Sequence, residues 1–175
     1  PLSNLDLYWI GYIRADGGLY HAAGRNEHTG YLMFAQKHLE PVIALRDYVG
    51  GEGKIRHRIG ETNFGPTSLH SFASSKPYRR LKELGVKTDL RPDIYQSPHF
   101  WRGLLEGDGN ICITMNRGVP YPSLTWSGSH KDMVECADWV ARTLGRKTPT
   151  VGAVRSIFRV GLVGTPAFNL TKLLY

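Results

Sequence analysis

Two aspartates, Asp16 and Asp108, are the residues whose type and spacing point most directly to chemistry. Each closes a similar run: Tyr8-Trp9-Ile10-Gly11-Tyr12-Ile13-Arg14-Ala15-Asp16-Gly17 and, ninety-two residues later, Phe100-Trp101-Arg102-Gly103-Leu104-Leu105-Glu106-Gly107-Asp108-Gly109. Both runs are aromatic-led and helix-compatible, with small residues four apart, Gly11 with Ala15 and Gly103 with Gly107. Positions i and i+4 share a helical face, so two such helices can pack closely and set the aspartates side by side. A carboxylate at a helix C-terminus opposes the macrodipole, at a cost of about 0.3–1 kcal/mol. Two adjacent carboxylates also repel. A hard divalent cation removes both penalties, because Mg²⁺ favours oxygen ligands. A turn aspartate before glycine explains one copy without any metal. Two copies on small-residue helices point to a metal site at a helix–helix seam.

The elements that must position this pair repeat in order. Helix signals cover Asn4–Asp16, 40–49 and 77–84, with hairpin strands expected at 19–25 with 30–36 and at 54–60 with 68–74. Residues 86–98, with two prolines, read as a connector. The second half gives a helix at 98–108, strands at 111–117 and 122–127, and an amphipathic helix over 131–144. Strands at 151–154 and 157–163 and a last helix from Thr165 complete it. His38 follows Asp16 by 22 residues and His130 follows Asp108 by 22. The expected fold class is α+β: two pseudo-symmetric αββαββα repeats, each with an antiparallel four-stranded sheet, joined at a two-helix interface. The repeats are placed at 1–87 and 98–175, with a linker at 88–97.

Composition narrows the partners. The 175 residues carry 22 Lys+Arg against 15 Asp+Glu, a net charge of +7, split +3 and +4 between the halves at residue 90. A basic excess spread over the whole chain suits a long polyanion, and nucleic acid is the usual one. Cys112 and Cys136 are too few for a disulfide framework or zinc site, and Cys112, within Ile111-Cys112-Ile113, is expected as a buried thiol. The seven histidines lack metal-ligand spacing. No signal or membrane-spanning segment appears, so an intracellular protein (cytoplasm, nucleoid or organelle matrix) is expected.

The doubled Trp-Ile-Gly-Tyr-Ile-Arg-Ala-Asp-Gly and Trp-Arg-Gly-Leu-Leu-Glu-Gly-Asp-Gly runs, with their matching downstream order, resemble the two motifs of a monomeric LAGLIDADG homing endonuclease. The resemblance covers nearly the whole chain. It implies motif helices at the interface of two halves and saddle-shaped sheets in the DNA major groove. It further implies Asp16 and Asp108 as ligands of Mg²⁺ (Mn²⁺ or Ca²⁺ substituting for binding), and hydrolysis of both strands to leave 3′ overhangs. The partner would be double-stranded DNA with a long recognition site, and the context an intron, intein or free-standing gene. No small-molecule cofactor is implied. Ala35-Gln36-Lys37 resembles the family's Gln-Lys element, where Gln36 would orient water. Ser75-Lys76-Pro77 resembles its basic residue, where Lys76 would assist the transition state. The second half departs from this pattern, with Gly128 in the place of Gln36 and Thr165 in that of Lys76. Catalytic support is therefore expected to be asymmetric.

Strand alternation selects the DNA-facing candidates, since one sheet face lies under helices. In the first half these are Arg25, Asn26, His28, Lys37, Arg56, Arg58 and His70. In the second they are Thr114, Asn116, Arg117, Ser123, Thr125, Arg155 and Arg159, with Ile111, Ile113 and Met115 expected on the core face. Arg14 and Glu106, of opposite charge at equivalent positions, are expected to line the seam or bind locally rather than catalyse. A non-cleaving binder of the same fold, an RNA maturase or DNA-binding regulator, is the alternative; two assembled carboxylates favour cleavage.

Overall fold

The first helix starts on a reciprocal cap. The Ser3 hydroxyl accepts from the Asp6 amide at 3.1 Å while the Asp6 carboxylate accepts from the Ser3 amide at 2.7 Å. The computed structural model describes residues 1–24, 29–51, 53–62 and 65–175. Its order is α1 (Asn4–Asp16), β1 (Gly17–His21), β2 (Gly30–Gln36), α2 (Leu39–Tyr48), β3 (Arg56–Thr62), β4 (Gly65–Ser74) and α3 (Tyr78–Glu83). A 3-10 turn (Pro92–Gln96) then leads to α4 (Pro98–Asp108), β5 (Asn110–Asn116), β6 (Val119–Gly128), α5 (His130–Leu144), β7 (Gly152–Val154), β8 (Ile157–Val163) and α6 (Thr165–Leu174). The expected αββαββα order therefore recurs in both halves. The two sheets are antiparallel and four-stranded, ordered β1-β2-β4-β3 and β5-β6-β8-β7. The fold class is α+β.

The chain divides into two compact units, one of Pro1–Ala15 with Pro92–Tyr175 and one of Asp16–Arg91. This division differs from that of the sequence repeats, because most of α1 packs with the second repeat. In the larger unit α1 and α4 approach through their glycines. A Cβ built on Gly11 would land on the Phe100 carbonyl, and one on Gly103 on the Tyr8 carbonyl. The obstacles are backbone, which cannot swing aside. Gly103→Ala is therefore expected to cost about 1–3 kcal/mol, read as a lowered urea midpoint. An unchanged midpoint would mean the helices are not held this close.

Around this contact lies an aromatic core: Trp101, Phe100, Trp126 and Tyr95 are at most 1% exposed. The indole N–H groups are satisfied inside it, Trp101 donating to the Tyr95 carbonyl and Trp126 to the Trp101 carbonyl, both at 2.9 Å. Helix α5 opens at Ser129, whose hydroxyl accepts from the Asp132 amide, and closes at Gly145 in the left-handed region. Residues 86–98, expected as a connector, bury Val86, Leu90, Ile94 and Tyr95.

The smaller unit buries Leu32 and Phe34 of β2 and Phe72 of β4 on one sheet face, under α2 and α3. Register then fixes both faces. Arg56 is opposite Ser71 and Arg58 opposite Leu69, on the face away from the buried side chains. Gln36 and His57 are each opposite His70, on the helix-covered face.

Two expectations about β5 need correction. Ile111, Ile113 and Met115 do share a face with the buried Leu124, since Ile111 is opposite Leu124. Yet they are 47%, 65% and 65% exposed. Helices α4, α5 and α6 lie on β6 and β8, whereas β5 is an edge strand. Cys112 is half-exposed rather than buried. It lies on the opposite face, register-paired to Ser123, and accepts a hydrogen bond from Asn110 at 3.4 Å.

Candidate functional site

Each aspartate ends its motif helix, Asp16 closing α1 and Asp108 closing α4. Asp16 is followed at once by β1 and Asp108, after Gly109, by β5, so each carboxylate sits where a helix gives way to a sheet. Asp16 is half-buried and Asp108 exposed. The Gln36 side-chain amide, at the end of β2, donates to Oδ2 of Asp16. Lys76, just before α3, extends past Gly50, where a Cβ would lie 3.2 Å from Nζ. Lys37 is exposed beside Gln36.

The second repeat has Gly128 where the first has Gln36, each ending the second strand of its repeat, and the start of α5 lies against it. A Cβ on Gly128 would lie 3.2 Å from the Met133 methyl and 3.8 Å from Cβ of Asp132.

What the sequence did not reveal is how α1 is tied down. Arg14, two residues before Asp16, makes a forked ion pair with Asp132 of α5, at 3.0 Å from Nη2 and 3.2 Å from Nε. The side chains are only 10% and 5% exposed. Asp132 also accepts from the Tyr95 hydroxyl at 2.7 Å and the Ser129 hydroxyl at 2.7 Å. Every carboxylate oxygen thus has donors, the condition for a buried charge to be tolerated. The helix over 131–144 was legible from its periodicity, but the pairing of Asp132 with a residue 118 positions away was not.

Glu106, the counterpart of Arg14, is bound in its own cluster. It accepts from the Tyr8 hydroxyl at 2.6 Å and from Arg102 at 2.9 Å. The Arg102 guanidinium lies over the rings of Tyr8 and Tyr175, at 5.5 and 4.6 Å. Arg14 and Glu106 therefore both engage local partners.

Burial, and then donation to a carboxylate, pushes the Tyr8 and Tyr95 hydroxyls well above the ordinary tyrosine range. Unfolded tyrosines ionise near pH 10 while these two keep their protons. The unfolded state then binds fewer protons, so stability falls as pH rises past that point. Urea midpoints near pH 8 and near pH 11 should show this loss, and Tyr95→Phe should reduce it.

The candidate DNA-facing residues divide by face. Arg56 and Arg58 lie on the face of the first sheet away from the helices, whereas His70 lies on the opposite face with His57, their rings 5.0 Å apart. Arg25, Asn26 and His28 lie outside the described residues. On the second sheet Thr125 is opposite Gly161 and Ser123 opposite Val163, with Thr114 opposite Tyr121 and Arg159 opposite Ser127, all on the helix-free face. Asn116 ends β5. Arg117 and Arg155 stand at hairpin turns with φ of 50° and 57°, a left-handed backbone that a non-glycine residue adopts at a cost of about 1–3 kcal/mol. No group of three or more His, Cys, Asp or Glu side chains able to hold a metal is found among the described residues. No described helix is long and apolar enough to cross a membrane.

Two motif helices and two β1-β2-β4-β3-type sheets define a class: the chain has the fold of the single-chain LAGLIDADG meganucleases. It is similar to the meganuclease I-SmaMI bound to uncleaveable DNA, with a TM-score of 0.63 and 11% identity over 95% of this chain and 82% of that one. Another I-SmaMI structure holds its uncleaved DNA target in the presence of calcium ions. The LAGLIDADG meganuclease I-AabMI, bound to uncleaved DNA, aligns with a TM-score of 0.62 and 8% identity over 99% of this chain and 83% of that one. Mesophilic variants of the homing endonuclease I-DmoI align at 0.61 and 16% identity, over 98% and 94%. No family model matches the sequence, and no curated protein does.

Proposed function

We propose that this chain is a sequence-specific, divalent-metal-dependent DNA endonuclease. One observation carries this reading: Asp16 and Asp108 close equivalent motif helices, and Asp16 accepts from Gln36 where α1 passes into β1. Asp16 and Asp108 would each offer a carboxylate, the oxygen ligand a hard cation such as Mg²⁺ prefers. A bound ion would lower the pKa of water and neutralise charge on the phosphate. Gln36, which already orients one Asp16 oxygen, would hold that ligand in place. The DNA- and calcium-associated neighbours support both the substrate class and the use of a divalent ion. Arg56, Arg58, Arg159 and the hydroxyl-bearing Thr114, Ser123 and Thr125 would face the duplex.

The test is a cleavage selection on a randomised duplex library with Mg²⁺. A single long site, cut in both strands with 3′ overhangs, is the expected result. Binding without product under Mg²⁺ or Mn²⁺ would identify a non-cleaving binder of this fold instead. Because Gly128 replaces Gln36 in the second repeat, the two strands should be nicked at different rates. Equal nicking would show that Gln36 contributes nothing to catalysis.

A further inference from the structure

The helix-free face of the first sheet differs in chemistry from that of the second. On the second sheet that face presents the hydroxyl groups of Thr114, Tyr121, Ser123 and Thr125 along with Cys112 and Arg159. On the first, Tyr20, opposite Tyr31, turns flat across Gly18, where any Cβ would collide with its ring. The Tyr20 and Tyr31 rings stack at 5.5 Å with their planes 18° apart. Beside Tyr31 a cleft of about 490 Å³ opens, lined by Met33, Ala73, Ser71, Lys54 and Arg56. Met33 and Ala73 are register partners and form its apolar floor. Lys54 and Arg56 supply cations on one side.

This combination selects its occupant. The cations fit a polyanion, and an apolar floor beside them fits a small hydrophobic group presented by that polyanion. The DNA major groove accepts a two-stranded β-ribbon, and of the four bases only thymine shows a methyl there. We propose that this cleft reads thymine through its 5-methyl group, which makes Met33 a specificity-determining residue. The inference rests on the DNA-binding part of the proposed function and goes beyond it in naming a base and a contact. Arg56, at the rim, is then placed for a neighbouring guanine edge or phosphate.

The experiment begins with binding sites recovered from a randomised duplex library in Ca²⁺. Each thymidine of the recovered site is then replaced singly by deoxyuridine, which removes only the methyl. Burial of one methyl predicts about a fourfold loss of affinity at the position the cleft reads. With Met33→Ala that penalty should largely vanish at this position and persist elsewhere. Ala73→Ser, which places a hydroxyl in the same floor, gives the same readout should Met33→Ala melt early. Sites recovered without any thymidine whose methyl dependence changes in either variant would overturn the inference and leave DNA recognition standing. Recovery of no sequence at all would overturn both. Tighter binding of the corresponding RNA, whose uracil lacks the methyl, would also overturn it.

Discussion

Replacing Arg14 with leucine is expected to cost about 3–5 kcal/mol of stability, one of the largest losses available to a single substitution here. The reason is what remains behind. Asp132 is 3% exposed, and without the guanidinium its charge stays buried with only neutral donors, the Tyr95 and Ser129 hydroxyls. The intact pair need not add much net stability, because desolvation offsets its attraction. Breaking it is what costs. Arg14→Leu combined with Asp132→Asn should therefore lose less than Arg14→Leu alone, since the asparagine keeps hydrogen-bonding capacity without the charge. Urea unfolding of the four proteins at pH 7 gives the cycle directly. A loss below about 1 kcal/mol for Arg14→Leu would mean that water reaches Asp132.

Asp16→Asn is expected to reduce cleavage at least about 100-fold, since loss of a partner that merely supports a ligand already costs 10–100-fold. DNA binding should survive, because the proposed phosphate and base contacts lie on the sheets. The substitution keeps shape and removes one charge, so the fold should hold as well. Asp108→Asn should act in the same direction. Gln36 offers an internal check: Gln36→Leu leaves both carboxylates but removes the Asp16 hydrogen bond, and should fall between wild type and Asp16→Asn. Undiminished cutting by the Asp16→Asn/Asp108→Asn double variant would remove the proposed metal ligands from the mechanism.

Particular residues show why some of this was legible and some was not. The spacing of Met133, Ala137 and Val140 acts within one helix, so α5 was plain from local sequence. Strand alternation placed Ile111, Ile113 and Met115 on the correct face. It could not tell that an edge strand extends past the helices covering β6 and β8, because coverage depends on neighbours distant in sequence. Likewise, alternation alone did not separate His70 from Arg56 and Arg58. Their faces depend on the β3–β4 register, with His70 opposite His57 rather than opposite an arginine.

By itself the sequence determined the doubled helix-to-strand motif, the αββαββα order and the two aspartates, because repetition and short-range periodicity are local properties. Tertiary structure alone decided the rest. It showed that Gly11 and Gly103 take a facing backbone, that Arg14 is committed to a buried carboxylate, and that Gly128, the counterpart of Gln36, lies against the start of α5. It also gathered Tyr31, Met33, Ala73 and Arg56 around one cleft. Each of these joins residues tens of positions apart, and packing geometry, not spacing, determines which of them meet.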